Sequence, residues 1–271
     1  IEDDLLRRLV RLLQRFPTKG GRFVADETTS VILNEVSRML EEIMSKEQLR
    51  SAVRDLLPEF DRIGENVAMM HGQESNIVVS STLLNDAKRR MVQMTTEVMA
   101  VSGYDSRFVQ PVKRTLYNHI NFGAGIVETE RALRVLVHGE ELAPLTAKGT
   151  PRRRPGLLSQ YAGGVARDAV HQYEGQVHKE IANQYALKNW RYVGTILPGF
   201  IASTGRRRGG TRPQCARWVK MEIITAEQLP TELAWARHNG AGLIPGTTEA
   251  TFAVFRGGYN CRHKAIPTRR K

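Results

Sequence analysis

The two cysteines of the chain, Cys215 and Cys261, are its most reactive side chains, and His263 follows Cys261 by two residues. With His238, which lies between them, they form a set of thiol and imidazole ligands of the kind that binds zinc. The spacing argues against a zinc knuckle, because neither cysteine has a second ligand two to four residues away. No cofactor is predicted, and a zinc site at Cys215, Cys261 and His263 stays a candidate. The alternatives are two neighbouring thiols that oxidise outside a reducing compartment and two unrelated buried thiols.

Catalytic arrangements around these residues are incomplete. The segment GYNCRH is similar to part of a His-Asn-His nuclease motif, but only eight residues follow His263, and with Pro267 among them they cannot form the required metal-binding helix. Nothing around Cys215 predicts the strand–turn–helix that presents a nucleophile, and a P-loop is absent. His171 and His178 share a face of a predicted helix, a pattern more typical of surface or core histidines than of a metal site. We therefore expect a protein without catalytic residues. The alternative is a metal-dependent nuclease or another nucleic-acid-processing enzyme that uses the Cys/His residues.

Charge is unevenly distributed along the chain. The 40 Lys and Arg against 28 Asp and Glu give +12, of which residues 1–149 contribute −1 and residues 150–271 contribute +13. Three basic clusters each adjoin Pro or Gly, which predicts exposed loops or a tail. The clusters are Arg152, Arg153 and Arg154; Arg206, Arg207 and Arg208; and Arg269, Arg270 and Lys271. Solubility is the alternative explanation, but three clusters in a half with few acids favour contact with nucleic-acid phosphates.

Composition excludes several classes of protein. Of the 271 residues 41% are hydrophobic, which is enough for a core and excludes a wholly disordered chain. Two cysteines exclude a disulfide-dense secreted scaffold, and no apolar run reaches the roughly 18 residues of a membrane span. The acidic opening IEDDLLRRLV is not typical of a signal peptide. Ile1 in place of an initiator Met favours a trimmed or processed product.

The elements that must position these residues fall into three predicted regions. Residues 1–139 show the 3.6-residue apolar period of about six helices and are predicted to form a helical domain. Residues 140–156, with three prolines and two glycines, are expected to form a linker or exposed loop. Residues 157–271 begin with a long helix to about residue 188 and change to period two after Trp190. The predicted fold class is mainly α: a helical N-terminal region and a long helix, followed by a small α+β C-terminal module.

Local signals refine this outline. Asp26 is placed to cap the second helix, and Pro58 is predicted to kink or split the third. Strands are predicted at 191–197, 219–224 and 251–256. Three glycines in the long helix predict a bend or a close backbone contact: Gly163, Gly164 and Gly175.

The C-terminal segments together resemble the bacteriophage minor head proteins, or head morphogenesis proteins, including the Mu F-like group. The segments are a long helix, WRYVGTIL, TRPQCARW, an apolar stretch with AEQL, NGAGLIPGTT and FRGGYNCRH, and they cover roughly residues 157–267. The positions that carry the motif are Cys215, Trp218, Gly257, Gly258, Asn260, Cys261 and His263. Many members have C-x-x-C in the first cysteine segment and C-R-C in the last. This chain has single cysteines there, so the resemblance does not imply a four-cysteine metal site, whereas a Cys215/Cys261/His263 site stays open.

The resemblance implies a structural virion protein that assists head morphogenesis, DNA packaging or ejection. Its expected partners are the portal or other head proteins and double-stranded DNA bound without sequence preference, with multiple copies in the virion and no membrane contact. Its expected location is the head interior or portal vertex, and the host cytoplasm during assembly. The charge distribution agrees with this, since the neutral half is suited to protein contacts and the basic half to phosphates.

Overall fold

The computed structural model describes residues 2–43, 53–101, 104–142, 152–201, 207–208, 210–258 and 261–270. Helices make up 66% of the structure and the sheets have two or three short strands, so the predicted mainly α class is confirmed. The helices in chain order are α1 (Glu2–Leu13), α2 (Glu27–Ile43), α3 (Leu57–Ser75), α4 (Ser81–Val101), α5 (Gln110–Asn121), α6 (Ile126–His138), α7 (Leu157–Gln184), α8 (Pro213–Met221), α9 (Leu229–Asn239) and α10 (Phe252–Phe255). The strands are β1 (Thr18–Lys19), β2 (Arg22–Phe23), β3 (Gly139–Leu142), β4 (Arg152–Pro155), β5 (Asn189–Val193), β6 (Phe200–Ile201), β7 (Arg207–Arg208), β8 (Ile223–Ile224) and β9 (Lys264–Thr268).

The chain divides into two compact units. The first unit comprises residues 1–53 and 95–165, and the second comprises residues 54–94 and 166–271. These units do not follow the predicted divisions at residues 139 and 157, because residues 54–94 belong with the C-terminal segment. Periodicity identifies a helix and its apolar face, but it does not identify the residues that cover that face.

The first unit is built around aliphatic helix faces. Leu5, Leu9 and Leu13 of α1 lie on one side of the helix and are buried, as a 3.6-residue period requires. Asp26 caps α2, since its carboxylate accepts a hydrogen bond from the Thr28 backbone N–H at 2.8 Å. The predicted cap is therefore confirmed.

The predicted linker at 140–156 is a hairpin arm within its described part. Strand β3 pairs antiparallel with β4, and the pairing sets Glu140 opposite Arg154 and Glu141 opposite Arg153. The arginines that were expected in a loop therefore lie on a strand. Opposite charges at facing positions of an antiparallel pair favour this register.

The second unit starts with α3, which begins at Leu57 and has Pro58 in its first turn. In the first turn of a helix the backbone N–H has no acceptor within the helix, so proline loses no hydrogen bond there and its ring meets no preceding turn. A proline is therefore tolerated where a helix starts but not where one continues. The split predicted at Pro58 is confirmed.

A three-stranded antiparallel sheet of order β8-β5-β9 carries the C-terminal module. Along β5 the side chains alternate, and Trp190 and Tyr192 are buried. The predicted strand at 191–197 ends early, at Val193. Strand β9 pairs with the whole length of β5, from Asn189 opposite Thr268 to Val193 opposite Lys264.

Two strand predictions are wrong. Half of 219–224 belongs to α8, which continues to Met221 and ends where Glu222 adopts a positive φ of 59°, and only Ile223–Ile224 is strand. Residues 252–255 form the helical turn α10, which follows a capping box between Thr248 and Thr251. In both segments a local helix-start signal prevails over the alternating apolar pattern.

Aromatic rings fill the core of this module. Trp218 is fully buried and meets the rings of Tyr192 and Phe252 edge-on, with centroids 5.3 Å and 5.2 Å away. Gly175 of α7 permits α10 to approach, since a Cβ there would lie 2.1 Å from the Ala253 carbonyl oxygen. The predicted close backbone contact is confirmed at Gly175, whereas a Cβ at Gly163 or Gly164 would meet nothing within 4 Å.

Candidate metal centre

Cys215 is positioned by the first turn of α8. Pro213 begins the helix, and the buried Gln214 side chain holds it in place. The Gln214 amide Nε2 donates to the carbonyl oxygens of Ala241 and Gly257 at 2.8 Å and 3.1 Å. The cysteine is thereby fixed against two loops distant in the chain.

Cys261 and His263 arrive from the turn that follows α10. A Cβ at Gly257 would lie 2.0 Å from Cys215 Sγ, so only glycine permits this approach. Gly258 has a positive φ of 109°, which also favours glycine, and its carbonyl oxygen accepts a hydrogen bond from the Cys261 N–H at 3.1 Å. The structure brings Cys215, which lies in α8, close to Cys261, so the two thiols are neighbours and the alternative of unrelated buried thiols is wrong.

The three side chains form one buried cluster. The two Sγ atoms are 3.8 Å apart, and His263 Nδ1 is 3.7 Å from Cys261 Sγ. One ligand atom from each residue lies within 4.8 Å of the others. Both cysteines are free thiols. This is the one group of three or more potential metal ligands within the described ranges.

Tyr192 is a fourth member of the cluster that the motif reasoning missed. Its hydroxyl lies 3.5 Å from Cys215 Sγ and 3.7 Å from Cys261 Sγ, and its ring stacks on His263 at 5.7 Å. Burial raises the pKa of this phenol well above its ordinary value, so it stays a neutral donor toward sulfur. The available signal was the β5 alternation, which turns Tyr192 to the same side as Trp190.

The pKa values of the two thiols are shifted in opposite directions. A hydrogen bond from Cys215 lowers the pKa of Cys261 well below its ordinary value, with further support from His263. The same hydrogen bond, with burial, raises the pKa of Cys215. The lowered pKa of Cys261 favours its thiolate, which is the form that binds metal.

A buried ion pair supports the backbone at His263. Arg256 is 2% exposed, and its guanidinium donates to the His263 carbonyl oxygen at 2.8 Å. Glu174 of α7 lies 3.6 Å from this guanidinium and 2.7 Å from Lys264 Nζ. Neither Arg256 nor Glu174 was singled out from the sequence, because their roles depend on contacts distant in the chain.

The cluster lines an open pocket of about 690 Å³. The loop at Gly194–Leu197 forms one wall, Gly210–Arg212 forms a second, and Arg262 lies beside the ligands. Among the described residues that line this pocket the charged side chains are Arg212 and Arg262, and none is a carboxylate. Its local field therefore favours anions.

Other residues considered from the sequence lie elsewhere. His238 is exposed on α9, and its Nδ1 donates to the Ala234 carbonyl oxygen of the same helix. His178 is buried and contacts His71 at 3.0 Å, so it is a core histidine. Trp218 packs in the module core and donates to Glu232. Asn260 lies outside the described residues.

The first arginine cluster is partly neutralised by acids. Arg154 forms an ion pair with Glu140 across the β3–β4 hairpin, and Arg153 faces Glu141 in the register. Arg152, opposite Leu142, begins the same strand.

The other two clusters have no acidic residue opposite them in the described strand pairs. Arg207 and Arg208 form β7, paired with Ile201 and Phe200. Arg269 and Arg270 are exposed beyond β9. Arg206 and Lys271 fall outside the described residues.

No protein-family model, curated protein or solved structure matches the chain. Within the described residues, no helix has both the length and the apolar character needed to cross a membrane.

Proposed function

We propose that the chain is a structural, non-enzymatic protein of a phage head, a minor head protein that contacts the portal or other head proteins and the packaged DNA. One observation carries the proposal: motif segments separated by some 20 to 70 residues meet around one cluster. Strand β5 carries Tyr192, α8 carries Cys215, and the last segment carries Cys261 and His263. Segments that form one folded module support a resemblance more than the same segments scattered over the surface.

The charge of the second unit supports the DNA contact. This unit carries 22 basic and 13 acidic side chains, which accounts for nine of the twelve excess positive charges. All of that excess comes from the residues after 188, which include 14 basic and only four acidic side chains. A surface of this kind attracts phosphates by releasing condensed counterions.

The salt dependence of DNA binding tests this contact. We expect two duplexes of unrelated sequence to bind the full chain equally, because arginines that are not on a groove-filling helix contact phosphates and read few base edges. Replacing Arg206, Arg207 and Arg208 together with Ala should flatten the slope of log affinity against log salt by roughly two to three. Fluorescence anisotropy of labelled duplexes over a salt series measures the slope.

The first arginine cluster provides the matched control. Replacing Arg152, Arg153 and Arg154 with Ala removes the same charge but should flatten the slope by about one or less, since Glu140 and Glu141 already oppose two of these arginines. An unchanged slope in the Arg206–Arg208 variant would reassign that cluster to portal docking. A strong preference for one duplex sequence would contradict the proposal.

Association with heads tests the virion part of the proposal. In lysates that assemble phage heads, the chain should sediment with the heads and remain there after DNase treatment. A chain found only in the soluble fraction would contradict a head component.

A metal-dependent nuclease is the second candidate, and the open pocket beside the Cys/Cys/His cluster favours it. A hydrolytic site needs a base close to the attacking water. The described lining of this pocket contains no Asp or Glu to serve as that base, so we favour binding. Plasmid DNA incubated with the protein and Zn²⁺ should stay supercoiled, and cleavage abolished by Cys261→Ser would establish the enzyme.

A further inference from the structure

We propose that Cys215, Cys261 and His263 bind one Zn²⁺ ion through two sulfurs and one imidazole nitrogen, and that the fourth coordination position opens on the adjacent pocket. The inference goes beyond the proposed function, because it does not depend on DNA or on a phage head. Its tests use metal ions and inorganic phosphate, without DNA or phage heads.

The distances match a tetrahedral site. With zinc–sulfur bonds of about 2.3 Å, two sulfurs of a tetrahedron lie about 3.8 Å apart, and a sulfur and a nitrogen lie about 3.6 Å apart. The corresponding separations here are 3.8 Å between the two Sγ atoms and 3.7 Å from Cys261 Sγ to His263 Nδ1. A disulfide would need sulfurs at about 2.05 Å. Two of the three separations therefore match the edges of a zinc tetrahedron, and the third, from Cys215 Sγ to the His263 ring, is within 4.8 Å.

The donor set selects the metal. Two thiolates and an imidazole suit zinc, whereas magnesium and calcium prefer oxygen ligands. The Tyr192 hydroxyl donates to Cys215 Sγ and lies 3.7 Å from Cys261 Sγ, and such a hydrogen bond orients a thiolate ligand and offsets its charge. The His263 Nδ1 atom faces Cys261 Sγ at 3.7 Å, and its Nε2 atom is buried without a hydrogen-bond partner within the described residues.

The fold explains why spacing does not reveal this site. A zinc knuckle supplies two ligands from one short turn. Here Cys215 comes from α8, and the other two ligands come from a segment 46 residues further on. Gly257 lets the segments approach, because a side chain there would displace the Cys215 sulfur.

The fourth coordination position faces the pocket that the three ligands line. Three protein ligands leave one tetrahedral position, as in zinc sites that keep an exchangeable ligand. The ligands line a pocket shared with Arg212 and Arg262, so an oxygen anion is favoured there. We assign this position to an exchangeable oxygen ligand, either solvent or a phosphate oxygen.

Metal content of the full chain is the first test. Protein purified under reducing conditions, made metal-free and then titrated with Zn²⁺ should bind one equivalent per chain. Co²⁺ in place of Zn²⁺ should give sulfur-to-metal charge-transfer bands together with the intense visible bands of tetrahedral cobalt. Absence of both, or quantitative formation of a Cys215–Cys261 disulfide that leaves the metal-free chain equally folded, would overturn the site.

Variants identify the ligands. Cys215→Ser, Cys261→Ser and His263→Asn should each weaken zinc binding by at least about 100-fold, the larger effect expected for a lost direct ligand. His238→Asn, an exposed histidine in the same unit, should bind zinc as the wild type does. Circular dichroism establishes that each variant is folded. If folded Cys261→Ser retains full affinity, the assignment is wrong.

The open position has a separate test. Adding inorganic phosphate to the cobalt form should shift its visible bands, and Arg212→Gln should raise the phosphate concentration needed. A cobalt spectrum unaffected by phosphate at any concentration would overturn the open position while leaving the three-ligand site standing.

Discussion

The two units of the chain are stabilised in different ways. The core of the first unit is mostly aliphatic, and its ion pairs lie on the surface, as Arg134 with Glu130 does. The core of the second unit is also mostly aliphatic, but this unit buries polar groups as well, including His178, Glu174 and Arg256. Among the described residues, nine of the eleven buried polar side chains belong to the second unit.

A buried polar group costs free energy unless it has a hydrogen-bonding or charged partner. The larger number of buried polar groups in the second unit therefore indicates that they have a role there beyond packing. A unit that only has to pack gains little from burying charges. The second unit uses them to fix the backbone that carries His263 and to hold α8 beside it. The candidate metal centre therefore lies in the unit that buries more polar side chains.

Removing one buried charge should break this contrast most strongly. Glu174→Gln leaves the Arg256 guanidinium buried without its carboxylate, and we expect it to destabilise the second unit by about 3 kcal/mol. All three tryptophans lie in the second unit, so their fluorescence during urea unfolding reports that unit.

The matched control is Glu130→Gln in the first unit. Its carboxylate forms an exposed i,i+4 pair with Arg134, and such pairs contribute about 0.3–0.5 kcal/mol. Far-UV circular dichroism follows this variant. Equal losses in the two variants would show that burial does not distinguish the pairs. Adding Arg256→Met to Glu174→Gln should recover part of the loss, since no buried charge then stays unpaired.

Lowering the pH should destabilise the second unit, because two of its buried histidines have lowered pKa values. Burial lowers the pKa of His178 well below its ordinary value, and neighbouring His71, Arg256 and Lys264 add to the effect. Burial also lowers the pKa of His71, which Arg191 supports and Glu74 opposes. In the unfolded chain both histidines gain protons near pH 6.5.

The unfolded state therefore binds more protons than the native state below about pH 6.5, and the stability of the second unit should fall as the pH falls. The expected slope is up to about 1.4 kcal/mol per pH unit for each histidine. Urea unfolding by tryptophan fluorescence between pH 7.5 and 5.5 measures it. His178→Gln should flatten the slope, and a variant with the wild-type slope would exclude His178 as its source.

The contrast also explains what the sequence could predict. Long 3.6-residue periods predict the helices correctly, because each apolar face extends over several turns, as with Leu5, Leu9 and Leu13. The predictions of short strands at 219–224 and 251–256 were wrong, because a proline or a capping box nearby starts a helix that includes part of so short a segment.

Residue type identified Cys215, Cys261, His263 and His238 as candidate ligands, and the structure brings together the first three. Their meeting depends on contacts distant in the chain that no local pattern records, as do the places of Tyr192 and Arg256. The same limit applies to residues 54–94, whose helical pattern says nothing about which unit covers them.

Two glycines of one helix give a small expected effect and a change of sign. Gly163 lies in the part of α7 that belongs to the first unit, and an added Cβ would meet nothing within 4 Å. Gly163→Ala should therefore stabilise the protein by about 0.5–1 kcal/mol through helix propensity.

Gly175→Ala makes the same chemical change in the second unit, where the Cβ would lie 2.1 Å from the Ala253 carbonyl oxygen. Backbone cannot yield as a flexible side chain does, so this variant should be destabilised despite the same gain in propensity. Thermal and urea unfolding of both variants measure the two signs. Stabilisation by Gly175→Ala would mean that the close packing of α10 on α7 does not constrain that residue, and that the second unit tolerates change at this contact as readily as the first unit does at Gly163.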